Sequence, residues 1–497
     1  MKTVIQNCAV LDEAAAWGLR ENVTIVIEGN RITSVSSEAV ATDGADRVID
    51  GVRFLAIPGL VNAHTHSSEA FTRGYDRPLP LEPWLVGTIW ALDTLSERDH
   101  YLVALLGAIE MLQNGATSVL DHLGLMPGAH LGHLDATMNA YRDIGIRAGV
   151  APLFREHSPE ALDGQKRGHG TAETVLNTLP PRLSNDAILE LCDAFFAKWH
   201  GAENGRLRCW IGPSGAQWTT IPFLRRCNDL ARRHDGGLHM HLMETRVQDH
   251  LARQLFGKTA VAMLADEEIL GPHVSLPHSV WITPKDIERI ARAGAVPVHN
   301  PAANLRLGSG LSPIRGMLDA GVVPGLGADG SKSSDHQNLF GHLHLLALIH
   351  NLRDPDPARW ITSREAVNIA TVGGAAAMRR PGELGKIAPG YLADIALLDL
   401  DTPALCPMND AFHHLAYSEL GGSVDTVLVD GRVVVEKRRV LGVDVPAILA
   451  EVRESMRGRT SRQPCPPEWQ EAQKRFLAYN LDILRNTNFD ADEKAFA

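Results

Sequence analysis

From about residue 58 to 384, the sequence alternates short apolar runs with capped amphipathic helices, and this alternation limits the possible folds most. Ser96-x-x-Asp99 predicts a helix start and Asn114-Gly115 its end, before the apolar run Thr117 to Leu120. Thr283-Pro284 opens another helix that closes near Gly294, ahead of Ala295 to Val298. Ser312-Pro313 opens a third, followed by Gly321 and the strand Val322 to Leu326. Repeated βα units over this length imply a parallel sheet with helices outside, either a barrel or a doubly wound sheet. No Gly-x-Gly-x-x-Gly follows an early strand, so a dinucleotide-binding sheet loses its main support.

The chain ends read differently. Thr24 to Glu28, Gly29-Asn30 and Arg31 to Val35 predict a hairpin within residues 1–57. Far downstream, Ile395 to Leu398 and Val424 to Val429 are strand-like, and the second joins Val433 to Val435 through Asp430-Gly431-Arg432. Segments 1–57 and 385–445 can therefore pair into one small β unit around the body formed by 58–384. Residues 446–497 are polar and mostly helical, an appendage on the body or on a neighbouring copy.

The net charge of −11 argues against a nucleic-acid or anionic-membrane partner. No apolar run approaches the roughly 18 residues of a membrane span, and no signal-type core follows Met1-Lys2-Thr3. The six cysteines are scattered without Cys-x-x-Cys, which predicts reduced thiols and a cytoplasmic location.

Chemistry collects where the predicted strands end. His64 and His66 close the run Pro58-Gly59-Leu60-Val61-Asn62-Ala63, and their spacing points both imidazoles the same way. Later ends carry His241 with Glu244, then His278, His299 and Asp329. A single strand-end histidine is more often a surface or hydrogen-bonded residue, and Asp-Gly is more often a turn. Recurrence changes the reading, because barrel enzymes place their chemistry at the C-terminal ends of strands. His64, His66, His241 and Asp329 offer three nitrogens and an oxygen to one metal. Glu244 and His278 remain to move protons.

These stretches resemble the amidohydrolase superfamily, in its cytosine deaminase and chlorohydrolase-like branch. The resemblance rests on Pro58 to His66, His241-Leu242-Met243-Glu244, His278, His299 to Gly310, Gly327-Ala328-Asp329-Gly330, and Gly385 to Ile395. It implies a (β/α)8 TIM-type barrel with a small β-sandwich built from both chain ends. It also assigns His64, His66, His241 and Asp329 to one divalent metal, Glu244 to a proton shuttle, and His278 to orienting the attacking hydroxide or the substrate; Asp329 helps to steady that hydroxide. Some relatives hold two metals through a lysine on the fourth strand. The corresponding run Cys209 to Ser214 has none, so one ion is expected, zinc, with iron compatible with the same donors. Lys332, beyond the last ligand, reads as a loop charge. Ala303 and Ala328 depart from the pattern without touching the ligands.

The implied reaction is hydrolytic deamination of an amino-substituted N-heterocycle. The run Leu79-Pro80-Leu81-Glu82-Pro83-Trp84-Leu85 looks like a segment of S-adenosylhomocysteine and methylthioadenosine deaminases. Arg73, Tyr75, Trp84 and Trp90 lie in the first loop, where ligand contacts are expected, as do Gln217, Trp218 and Asn304. The alternatives are a chlorohydrolase or cyclic amide hydrolase using the same hydroxide, and a metal-stabilised scaffold without activity. A homodimer or larger homo-oligomer is the expected assembly.

Overall fold

The computed structural model describes residues 1–38, 42–75, 78–91, 95–125, 130–169, 183–459 and 465–489. The first strands are β1 (Lys2–Leu11), β2 (Leu19–Glu28), β3 (Arg31–Ser36), β4 (Arg47–Asp50) and β5 (Phe54–Pro58). Eight more form the barrel: β6 (Leu60–Thr65), β7 (Ala116–Gly124), β8 (Arg147–Phe154), β9 (Leu207–Pro213), β10 (Gly237–His239), β11 (Val274–Pro277), β12 (Val296–His299) and β13 (Gly325–Leu326). The last are β14 (Ile395–Asp399), β15 (Val424–Val429), β16 (Arg432–Glu436) and β17 (Arg439–Val440).

Strands β6 to β13 are parallel and neighbour one another in chain order, the arrangement of a (β/α)8 barrel. The ring is nearly closed, and the chain just past β13 reaches back to β6. Asp329 N donates to His64 O at 2.9 Å, and Ala328 N to the side-chain oxygen of Asn62 at 2.9 Å. The strand expected over Val322 to Leu326 is reduced to Gly325–Leu326, and Val322 N instead donates to Met317 O of the preceding helix at 2.8 Å.

The helices include α1 (Leu81–Ala91), α2 (Glu97–Gln113), α3 (Arg246–Phe256), α4 (Pro284–Ala293), α5 (Ile314–Asp319), α6 (Val445–Ser455) and α7 (Pro467–Asn486). The expected capping box of Ser96 with Asp99 forms on α2, and Thr283 forms another with Asp286 on α4. Gly294 closes α4 at a φ of 73°, a left-handed conformation that glycine adopts without a Cβ clash. On α2, Leu102, Leu105, Ile109 and Leu112 recur at helical spacing and join one core with Val119, Val150 and Leu276 of the barrel.

The two chain ends share a second, nine-stranded sheet. Its order is β17-β16-β15-β14-β5-β1-β2-β3, with β4 beside β1. The join is antiparallel, β5 against β14, with Ile395 opposite Pro58 and Leu398 opposite Leu55. Ile5, Val10, Ile25, Leu397 and Leu428 give this sheet its own core. Arg147, at the start of β8, ties it to the barrel. Its guanidinium donates twice to Asp394, at 2.8 and 2.9 Å, and once to the partly buried Asp430 at 3.0 Å. None of the six cysteines forms a disulfide, and no described helix is long and apolar enough to cross a membrane.

Candidate active site

The strand ends converge on a cavity of about 170 Å³ at the C-terminal mouth of the barrel. His66, His241, Glu244, His278 and Asp329 line it, and His64 lies fully buried directly beneath. His64, His66 and Asp329 each place a potential ligand atom within 4.8 Å of the other two. The Nε2 atoms of His66 and His241 lie 3.1 Å apart, and Asp329 Oδ1 is 3.5 Å from His66 Nε2 and 3.6 Å from His64 Nε2.

Hydrogen bonds behind each ring set which nitrogen faces forward. His66 Nδ1 donates to the carbonyl of His122 at 2.6 Å, and His241 Nδ1 to the carbonyl of Ser214 at 2.6 Å. Their Nε2 lone pairs are thereby directed into the site. His64 Nδ1 is 2.8 Å from His239 Nε2, while His64 Nε2 is buried with no protein partner. Burial, then the neighbouring imidazoles, hold His64 and His241 well below the ordinary histidine range, so both are neutral donors. Burial also opposes charge on His66, but Asp329 and Glu69 outweigh it and raise its pKa. An inward-facing nitrogen without a partner, beside two more nitrogens and a carboxylate, fits a tetrahedral divalent cation.

Two groups face these donors. Burial, followed by the charges of Asp329 and Glu82, pushes Glu244 well above the usual carboxyl range. Its Oε1 accepts from Ser309 Oγ at 3.2 Å, and its Oε2 is 3.5 Å from His278 Nε2. His278 Nε2 is also 3.8 Å from Asp329 Oδ2. Its Nδ1 lies 2.9 Å from Asn304 Oδ1 and 3.4 Å from Asn300 Nδ2; the shorter contact sets the proton on Nδ1. The backbone around these groups is strained, with left-handed φ at Met243 (43°), His278 (72°), Ser279 (44°) and Asp329 (64°). Each such residue costs on the order of 1 kcal/mol or more, a cost usually concentrated at functional sites.

The remaining expected residues divide. Trp84 and Trp218 line the cavity with Leu81, Leu85, Phe154 and Leu307. Asn304 and Gln217 are buried but are not part of its lining; Asn304 stands behind His278. Arg73 turns outward to pair with Glu110 at 2.5 Å. His299 pairs with His350 at 3.2 Å, away from the cavity. The side chain of Trp90 lies outside the described residues.

Lys332 is a correction. It is not a loop charge but is 1% exposed. Its Nζ donates to Thr88 Oγ1 at 2.7 Å and stands 4.7 Å from the centre of the Trp84 ring. The turn Ser331–Ser334 folds it inward beneath α1, where the hydroxyl and the indole face offset its desolvation. Glu69 also escaped the sequence reading, three residues past His66 and outside any motif. It lines the cavity, and burial raises its carboxyl to about 7. A Cβ on Gly330 would lie 1.8 Å from Glu69 Oε2, so the glycine is what admits it. His239 had a readable signal, since His239 and His241 repeat the spacing of His64 and His66.

The chain is similar to known proteins over most of its length. Residues 55–434 match the Amidohydrolase family. The 5-methylthioadenosine/S-adenosylhomocysteine deaminase of Caldanaerobacter subterraneus subsp. tengcongensis is 34% identical over 433 residues, 87% of this chain and 93% of that protein. The 5'-deoxyadenosine deaminase of Methanosarcina mazei is 32% identical over 453 residues, 91% of this chain and 97% of its own. The zinc complex of atrazine chlorohydrolase from Arthrobacter aurescens TC1 superposes with a TM-score of 0.81 at 29% identity, covering 91% of this chain and 100% of that one. The chain belongs to the amidohydrolase family and is a hydrolase acting on C–N bonds.

Proposed function

We propose that this hydrolase removes the exocyclic amino group of an adenine nucleoside altered at its 5′ position, releasing ammonia. One observation carries the reading: Glu244 and His278 face the same cavity as the donors His66, His241 and Asp329, with His64 beneath them. A structural metal site would need the donors alone. The names of the two deaminase relatives support the substrate class.

His64, His66, His241 and Asp329 would hold one divalent ion, zinc being favoured by the zinc-bound structural neighbour. Such an ion supplies a Lewis acid that makes water acidic near neutral pH. Glu244 takes a proton from the attacking water and delivers it to the ring nitrogen beside the attacked carbon. Its upward shift favours holding that proton on the way to the ring nitrogen. His278, with Nε2 facing both carboxyl groups, orients the attack. Trp84, Trp218 and Leu307 seat the flat base and exclude bulk water, so charge developing in the transition state meets fixed dipoles. The second proton leaves with the amine as ammonia.

Glu244→Gln tests the proton path. The variant is expected to keep its metal and lose turnover by about 100-fold or more. Full activity would end this mechanism. The zinc-bound chlorohydrolase neighbour supports a second reading, displacement of chloride from a triazine. Release of chloride from atrazine, without ammonia from adenine nucleosides, would select it.

A further inference from the structure

Glu82 is a buried carboxyl that the proton path does not use. It sits on α1, two residues before Trp84. Its Oε1 accepts from Thr245 Oγ1 at 2.5 Å and its Oε2 from Asn480 Nδ2 at 2.6 Å. Thr245 follows Glu244 and caps α3, its Oγ1 accepting from Gln248 N at 3.2 Å. Gln248 Oε1 accepts in turn from Glu244 N at 2.9 Å. Asn480 belongs to α7. One carboxyl thus joins the C-terminal helix, the pocket helix and the turn that carries Glu244.

Helix α7 grips the same elements elsewhere. Gln473 Nε2 donates to Pro83 O at 3.3 Å, and Trp469 and Ala472 cluster with Val86 of α1. Tyr479 and Ile483 cluster with Val247 and Leu251 of α3. Tyr479 Oη donates to Asp163 Oδ2 at 3.0 Å, on the segment that follows β8. Yet α7 contributes no described residue to the cavity lining. An eleven-residue helix such as α1 is marginal alone, so what packs on its outer face decides where its inner face, with Trp84 and Thr88, is held.

We infer that α7 is a working part of the substrate pocket, and that Glu82 is the positioning residue through which it fixes Trp84. The inference rests on the deaminase reading only for its choice of substrate.

Asn480→Asp sets a second carboxyl against Glu82, and two buried carboxyls in contact cannot both ionise. Adding Glu82→Gln restores a matched pair. The amide introduced at 82 donates to the carboxylate introduced at 480, while its oxygen still accepts from Thr245. Asn480→Ala removes the contact without adding charge. Two readouts apply: KM and kcat for 5'-deoxyadenosine, and deuterium exchange of residues 81–91. Asn480→Asp should raise KM about 10-fold with kcat within about threefold, since Glu244 keeps its bond to Gln248. Exchange across 81–91 should quicken about 10-fold, and the double variant should return both readouts to within about twofold of wild type. The inference is overturned if both single variants leave KM and exchange at wild-type values, or if the double variant behaves like Asn480→Asp alone. Wild-type protein inert toward 5'-deoxyadenosine would overturn the functional reading alone; the exchange arm needs no substrate and still decides this one.

Discussion

Asn304 tests how tightly the proton machinery is held. Its Oδ1 fixes the proton of His278 on Nδ1 and leaves the Nε2 lone pair toward Glu244 and Asp329. Asn304→Ala removes that acceptor inside the protein. A buried N–H left without a partner costs about 1–3 kcal/mol. A flipped or re-protonated imidazole recovers part of that sum, so the productive tautomer loses ground by a comparable amount. At about 1.4 kcal/mol per tenfold, kcat should fall about 10- to 100-fold. Because Asn304 is not part of the cavity lining, KM should stay within about threefold. The assay is initial-rate ammonia release from 5'-deoxyadenosine, with metal content measured on the same preparations. Unchanged kcat would show that His278 needs no fixed tautomer. A tenfold higher KM at unchanged kcat would make Asn304 a substrate contact. Either result refutes the reasoning.

Lys332→Met should cost the Trp84 wall its cationic support, worth about 2 kcal/mol when desolvated, and raise KM about 10-fold with metal content unchanged. Arg147→Met leaves Asp394 buried without its partner; a loss of about 3–5 kcal/mol is expected in denaturant melts, recovered in part by Arg147→Met/Asp394→Asn. For Asp99, burial alone would raise the carboxyl, but hydrogen bonds from Ser455, Ser96 and Arg459 outweigh it and hold the pKa at about 2. That depression contributes about 2 kcal/mol above the ordinary carboxyl pKa and is lost as pH falls toward 2. The stability gap between wild type and Asp99→Asn should therefore close between pH 5 and pH 2, and a gap constant with pH would contradict it.

The barrel was readable because its signals are local. Ser96 with Asp99, Thr283 with Pro284 and Gly294 mark helix ends within a few residues of the backbone they control. The strand-end donors were readable because two-residue periodicity puts His64 and His66 on one side of a strand. Position along the chain could not say which loop residue reaches the cavity. Trp84 and Trp218 do, while Arg73 turns to Glu110 and Asn304 stands behind His278. Lys332 sits in a serine-rich run that reads as surface, and only the fold supplies Thr88 and Trp84 as its surroundings. Glu82 and Asn480 are 398 residues apart, so no local pattern announces their contact.

The donor cluster and its facing proton carriers are proposed to deaminate an adenine nucleoside. Purified protein, stripped of metal by a chelator and reloaded with one equivalent of zinc, should release one ammonia per 5'-deoxyadenosine consumed, and the stripped protein none. Ammonia release that persists at full rate without metal, or a fully loaded protein that leaves 5'-deoxyadenosine and S-adenosylhomocysteine untouched, would contradict the account.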